Sequence, residues 1–138
     1  MTKAIPVRIK LESEWDEERA EQQFSGQLYR KGTAIYVQYM EEDEQAGLTR
    51  TLVKLAEREI KIIRRGQVEA EQTFSVHEER RGHYRTELGT LPVVTRTLHM
   101  NVRMVNGSGE AEWSYQLWIA EEAAGTFNLK LTIQEEQV

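Results

Sequence analysis

The sequence predicts an all-β chain: a closed antiparallel up-and-down barrel of about nine or ten strands. Three observations lead there. Two-residue alternation of apolar and polar side chains recurs from end to end, and that period sets one strand face against the core and one against water. Short turn signals separate the alternating segments, so neighbours in sequence become neighbours in the sheet. A flat sheet of that many strands would leave long unpaired edges, which closure removes. A two-sheet sandwich is the alternative, and it would need longer crossovers than this chain offers.

The first strand places Ile5, Val7, Ile9 and Leu11 inward against Arg8, Lys10 and Glu12. The acidic stretch Glu12–Gln23 has thin apolar spacing and reads as a short surface helix or a long loop. A hairpin follows over Phe24–Glu41, turning at Lys31-Gly32, where glycine supplies a positive φ. Glu41–Gly47 reads as a loop. Thr49, Thr51, Val53 and Leu55 alternate next, then Ile60–Arg64 with a turn at Arg65-Gly66. Val68, Ala70, Gln72, Phe74 and Val76 share one face. Arg80-Arg81-Gly82 reads as a turn. Tyr84, Thr86 and Leu88 then face one way, continued by Leu91, Val93, Thr95 and Thr97. Asn106-Gly107-Ser108-Gly109 is the strongest turn signal. Trp113, Tyr115, Leu117 and Ile119 face in, with Ser114, Gln116 and Trp118 outside. Glu122–Gly125 reads as the last turn, before an inward face of Phe127, Leu129, Leu131 and Ile133.

The 138 residues fit a single domain over 1–138. Cysteine is absent, which excludes disulfides and thiolate chemistry and suits a reducing cytosol. The N-terminus turns charged within a few residues, unlike a secretory leader, and the apolar runs are too short to span a bilayer. A cytoplasmic location is therefore expected. The net charge of −5 disfavours nucleic acid and anionic membranes as partners.

Tyr36-Val37-Gln38-Tyr39-Met40-Glu41, Arg64-Arg65-Gly66, Tyr84-Arg85-Thr86-Glu87-Leu88-Gly89 and Thr95 together resemble the pattern of the YwiB-like family of small bacterial proteins. The resemblance extends over nearly the whole chain. It implies a calycin-like, lipocalin-type closed barrel and brings no established activity. The Gly-x-Trp motif common near the start of lipocalins is absent, since Trp15 sits among acidic residues.

Arg64 shares a face with Ile60 and Ile62, so alternation turns it inward. A guanidinium among apolar side chains needs a partner. That partner is either an acidic ligand gripped by the guanidinium fork, or an internal group. Glu41, on the face of Tyr39, and Trp113 are the internal candidates. Tyr84, Thr86, Thr95, Thr97, Tyr115, Gln72 and Thr51 also fall on inward faces. They read as polar groups of a ligand pocket, or as hydroxyls bonded to neighbouring strands inside a filled barrel.

Metal and cofactor chemistry are not expected, because His77, His83 and His99 lack ligand spacing; only His99 shares an inward parity. Nor is catalysis: Gly-x-Ser-x-Gly, P-loop and His-Glu-x-x-His patterns are absent.

The leading expectation is non-catalytic binding of a small, partly apolar, acidic ligand inside the barrel. Its site would comprise Arg64, Tyr84, Thr86, Thr95, Tyr115, Tyr39 and Glu41. The alternative is a filled barrel that acts as a protein-interaction module or homodimer through outer-face Trp118, Leu52, Val94 and Leu98. Trp118, a large aromatic on the wet face, needs a cover from the Trp15 segment or from a second copy.

Overall fold

A computed structural model describes residues 3–43 and 47–136. The strands are β1 (Ile5–Trp15), β2 (Glu18–Lys31), β3 (Ala34–Asp43), β4 (Gly47–Leu55) and β5 (Glu59–Gly66). β6 (Glu69–Ser75), β7 (Glu79–Thr86), β8 (Gly89–Val105), β9 (Ser108–Ile119) and β10 (Glu122–Glu135) complete the set. Each pairs antiparallel with the next, and β1 closes on β10 from Val7 opposite Glu135 to Trp15 opposite Phe127. The wall is thus a ten-stranded up-and-down barrel, as the alternation predicts. One end carries the turns at 16–17, 67–68, 87–88 and 120–121 and is called the mouth; the base carries those at 32–33 and 106–107.

The inward faces fill the base and middle of the barrel. Val7, Leu28, Val37, Ile60, Phe74 and Ala111 have no accessible surface. A side chain with none touches no water-sized void, so the base and middle are packed solid. An aromatic chain continues this core towards the mouth. Trp113 lies 5.7 Å from Phe74, Phe74 4.5 Å from Tyr115, Tyr115 5.5 Å from Phe127, and Phe127 5.6 Å from Trp15. Along β10, Leu131 and Ile133 are buried while Phe127 and Leu129, nearer the mouth, are half-buried. On the other face Thr126 and Asn128 are exposed, and Lys130 and Thr132 half-buried. The outer wall is polar and charged, the reverse of a lipid-spanning barrel.

Five sequence expectations change. First, Glu12–Gln23 is neither helix nor loop: β1 and β2 extend as one long hairpin in register from Ile5 opposite Leu28 to Trp15 opposite Glu18. Its tip turns through Asp16 at φ 54°. The hairpin overhangs the core, so its inner positions need few apolar residues. Its outer face is held by ion pairs such as Lys10–Glu21 at 3.1 Å and Arg19–Glu14 at 3.6 Å.

Second, Arg80-Arg81-Gly82 is not a turn but part of β7. Gly82 is required by close approach: a Cβ there would lie 2.0 Å from the Glu71 carbonyl oxygen. β7 pairs with β6 only over Glu69–Glu71. Beyond that, β6 turns its edge to β8 instead. Thr95 Oγ1 donates to the Thr73 carbonyl at 2.6 Å, and the His77 amide to the Thr97 carbonyl at 2.8 Å.

Third, a bulge in β8 between Thr97 and His99 shifts the register. An extra residue reverses the alternation, so Met100 and Val102 pack on the core and His99 is exposed.

Fourth, the last turn is Ala120-Glu121, both at positive φ, and Glu122–Gly125 belongs to β10. Likewise Arg65 and Gly66 end β5, with the turn at 67–68, and Leu88 is a fully exposed turn residue. Fifth, β3 reaches Asp43 and β4 begins at Gly47. The rest of the expected 41–47 loop lies outside the described residues.

Candidate functional site

The expected site residues gather in the mouth half of the barrel through strand register. Tyr39, Thr51, Arg64, Ala70, Tyr84 and Leu91 form one cross-strand row on β3 to β8, each directly opposite the next. Glu41 stands two residues beyond Tyr39 on the same face.

Glu41 is the hub of this cluster. Its Oε2 accepts from Arg64 Nε at 3.0 Å and lies 2.8 Å from Arg64 Nη2. Thr51 Oγ1 donates to the same oxygen at 2.5 Å. The Arg64 side chain is about one-third exposed and that of Glu41 17%, so each charge is partly desolvated and neutralised by the other. Of the two sequence alternatives for Arg64, the internal acidic partner is the one present. Burial pushes the Tyr39 phenol up, with the Glu41 charge adding to the shift and Arg64 opposing it. Phe24 stacks on the same phenol ring at 4.5 Å.

The other residues divide by depth. Thr95 is buried, and its hydroxyl replaces a ladder bond at the β6–β8 junction. Tyr115 is buried in the aromatic chain, and burial alone pushes its phenol up. Tyr84 and Thr86 are half-buried at the mouth, where Thr86 Oγ1 accepts from the Leu88 amide at 3.2 Å. Thr97 Oγ1 and Trp113 Nε1 are buried without a hydrogen-bond partner among the described residues. Such an arrangement costs about 1–3 kcal/mol each in an apolar interior.

The Glu41–Arg64 geometry predicts an unequal mutational cycle. Arg64→Gln is expected to destabilise by about 1–3 kcal/mol, because it leaves a largely buried carboxylate without its cation. Adding Glu41→Gln should recover most of that loss. Urea melts of the two single variants and the double variant check this. Additive losses would mean that the pair does not couple.

Histidine contributes no cluster: His77, His83 and His99 are all exposed. Among the described residues no group of three or more metal-ligating side chains comes together.

The outer wall has two notable features, the first of which escaped the alternation pattern. A groove of about 580 Å³ crosses β2, β1, β10 and β9, lined by Glu14, Arg19, Glu21, Glu112 and Lys130 among others. Its charges are largely matched in place, with Arg19 on Glu14 and Lys130 3.7 Å from Glu112. The second feature is an apolar row in which Val94 lies opposite Trp118 and Trp118 opposite Ala123. Trp118 is half-buried, and Leu98, in the β8 bulge, is exposed. Leu52 does not join them: it lies on β4 opposite Ile63, across the barrel. Trp15 is not the cover for Trp118. It stacks on Phe127 and donates from Nε1 to the Ala124 carbonyl at 3.1 Å.

A closed antiparallel barrel, packed through its base and middle and with a half-buried ion pair at its mouth, defines the class of this protein. The chain belongs to the family described as a domain of unknown function, DUF1934, whose model matches residues 5–131. It is 25% identical over 130 residues to the uncharacterized beta-barrel protein YwiB of Bacillus subtilis (strain 168), covering 94% of this chain and 91% of the relative. The crystal structure of the YwiB protein from Bacillus subtilis superposes with a TM-score of 0.81 at 24% identity, over 99% of this chain and 94% of that one.

Proposed function

We propose that this protein is a non-catalytic interaction module that works through the outer wall of a filled barrel. The observation that carries this reading is the packing of the interior. Side chains with no accessible surface occupy its base and middle, and an enclosed ligand needs the space they take. The Arg64 charge expected to grip an acidic head group is already held by Glu41. Thr95 is held by a backbone carbonyl. Many carboxylates of the outer wall sit in surface ion pairs, such as those of Lys10, Lys61 and Lys130, which do not build a reaction centre. A chain without cysteine suits the cytoplasm, where we place it.

A second reading keeps a small ligand at the mouth. It is favoured by the partial exposure of Tyr84, Thr86 and Arg64 on inward positions. A partly apolar molecule could lie there against Leu91 and Tyr84, with an acidic group competing with Glu41 for Arg64.

Native mass spectrometry of freshly purified protein separates the two. The interaction module is expected at the mass of the bare chain or of its multiples. A small molecule retained by the wild type and lost in Arg64→Gln would overturn it in favour of the mouth site.

A further inference from the structure

We infer that the outer face of β8, β9 and β10 is a homodimer interface centred on Trp118. This rests on the interaction-module reading and names its partner as a second copy of the same chain. Trp118 lies between Val94 and Ala123 in one cross-strand row. Neither neighbour is large enough to cover an indole, which stays half-buried. Aromatic side chains in such a setting are common anchors of protein interfaces.

The charges around the indole identify the occupant. On one side stand Arg81, opposite Val94 on β7, and Arg96, two residues further along β8. Both are exposed, and neither belongs to an ion pair among the described residues; Glu79, opposite Arg96, does not pair with it within 4 Å. On the other side the β9–β10 turn presents Glu121 and Glu122, exposed and likewise outside the described ion pairs. Beyond them lies the acidic β1–β2 tip of Asp16, Glu17 and Glu18.

This distribution is self-complementary about a two-fold axis that lies in the plane of the interface, through Trp118 and at right angles to the line from Arg96 to Glu121. Arg96 stands one strand towards β7 and two residues towards the base. Glu121, with Glu122 beside it, stands one strand towards β10 and two residues towards the mouth, so the axis lays Arg96 of each copy over Glu121 of the other. A closed dimer of this kind buries the two indoles at its centre and neutralises both charged flanks at once.

The test is assembly size by sedimentation and native mass spectrometry across a concentration series. The wild type is expected as a dimer. Trp118→Glu should weaken it by about a hundredfold, as for loss of a central aromatic anchor. Arg96→Glu should weaken it about tenfold or more, because symmetry repeats the contact. Arg96→Glu combined with Glu121→Arg should restore most of the loss. Arg96 is exposed, so its variants report on association even if a Trp118 variant melts early. A monomeric wild type, or a dimer indifferent to Arg96→Glu and Trp118→Glu, overturns the interface. Failure of restoration in the double reversal overturns the two-fold arrangement. A monomer carrying no small molecule would sink the dimer while leaving the interaction-module reading in place. A retained small molecule lost in Arg64→Gln would sink that reading instead.

Discussion

Phe74→Ala is expected to remove about 3–5 kcal/mol of unfolding free energy, a large share of what a domain this size has. Phe74 has no accessible surface and touches two rings, Tyr115 at 4.5 Å and Trp113 at 5.7 Å. Its strand is also where the wall is least regular. β6 pairs with β7 over only three residues and then leans on β8 through the Thr95 hydroxyl and the His77 amide. Side-chain packing must therefore hold there what ladder bonds hold elsewhere. The cavity left by truncation would sit among aromatic rings that cannot collapse into it without giving up their own contacts. Leu88→Ala is the matched control. Leu88 is wholly exposed in the β7–β8 turn, and its truncation should stay within about half a kcal/mol. Urea melts of both variants give the comparison. A loss below about 1 kcal/mol at Phe74 would mean that the barrel centre repacks and is less solid than its burial implies.

Phe74 also marks how much the sequence could reveal. Its burial follows from the two-residue period alone, as it does for Val7, Ile9, Val53, Leu131 and Ile133. Period and turn chemistry are local properties, and the barrel is built from local pairings. The ion pair of Arg64 with Glu41 was legible for the same reason, since both fall on inward parity and a buried charge requires a partner. Three features were hidden because they depend on tertiary geometry. The bulge at Leu98 inserts one residue and turns His99 outward, yet nothing in the residues 97–99 announces it. Gly82 looks like a turn glycine, but it is there for a carbonyl on another strand. The long β1–β2 hairpin has charged outer positions and sparse inner ones, which imitates a loop. Thr95 shows the limit at the site itself. An inward hydroxyl in a pocket and an inward hydroxyl capping a broken ladder have the same sequence signature, and only the position of the Thr73 carbonyl distinguishes them.

The protein should lose stability steeply above pH 10, and two phenols should carry much of that loss. Burial raises the pKa of both Tyr39 and Tyr115, and the Glu41 carboxylate adds to the shift at Tyr39. A phenol is neutral when protonated, so the folded chain keeps these protons at a pH where the unfolded chain has begun to release them. The ordinary phenol pKa is about 10. Below it both states hold the protons and the two residues contribute no pH dependence. Above it the unfolded state binds fewer protons, and stability falls by about 1.4 kcal/mol per pH unit for each residue. Between pH 10 and 12 the two together should cost about 5 kcal/mol, comparable to the whole stability of a small domain. The two phenolate absorbances should therefore appear together with loss of the folded circular dichroism signal, in one cooperative step. Tyr39→Phe and Tyr115→Phe keep the ring stacking and remove the titrating group. Each should flatten the alkaline slope by up to about a half relative to wild type, because the two phenols share it. Phenolate absorbance attributable to either residue in a protein that is still folded would show that the mouth admits hydroxide to the aromatic chain. The interior would then be open to solvent, and the filled barrel, with the surface-directed function built on it, would lose its physical basis.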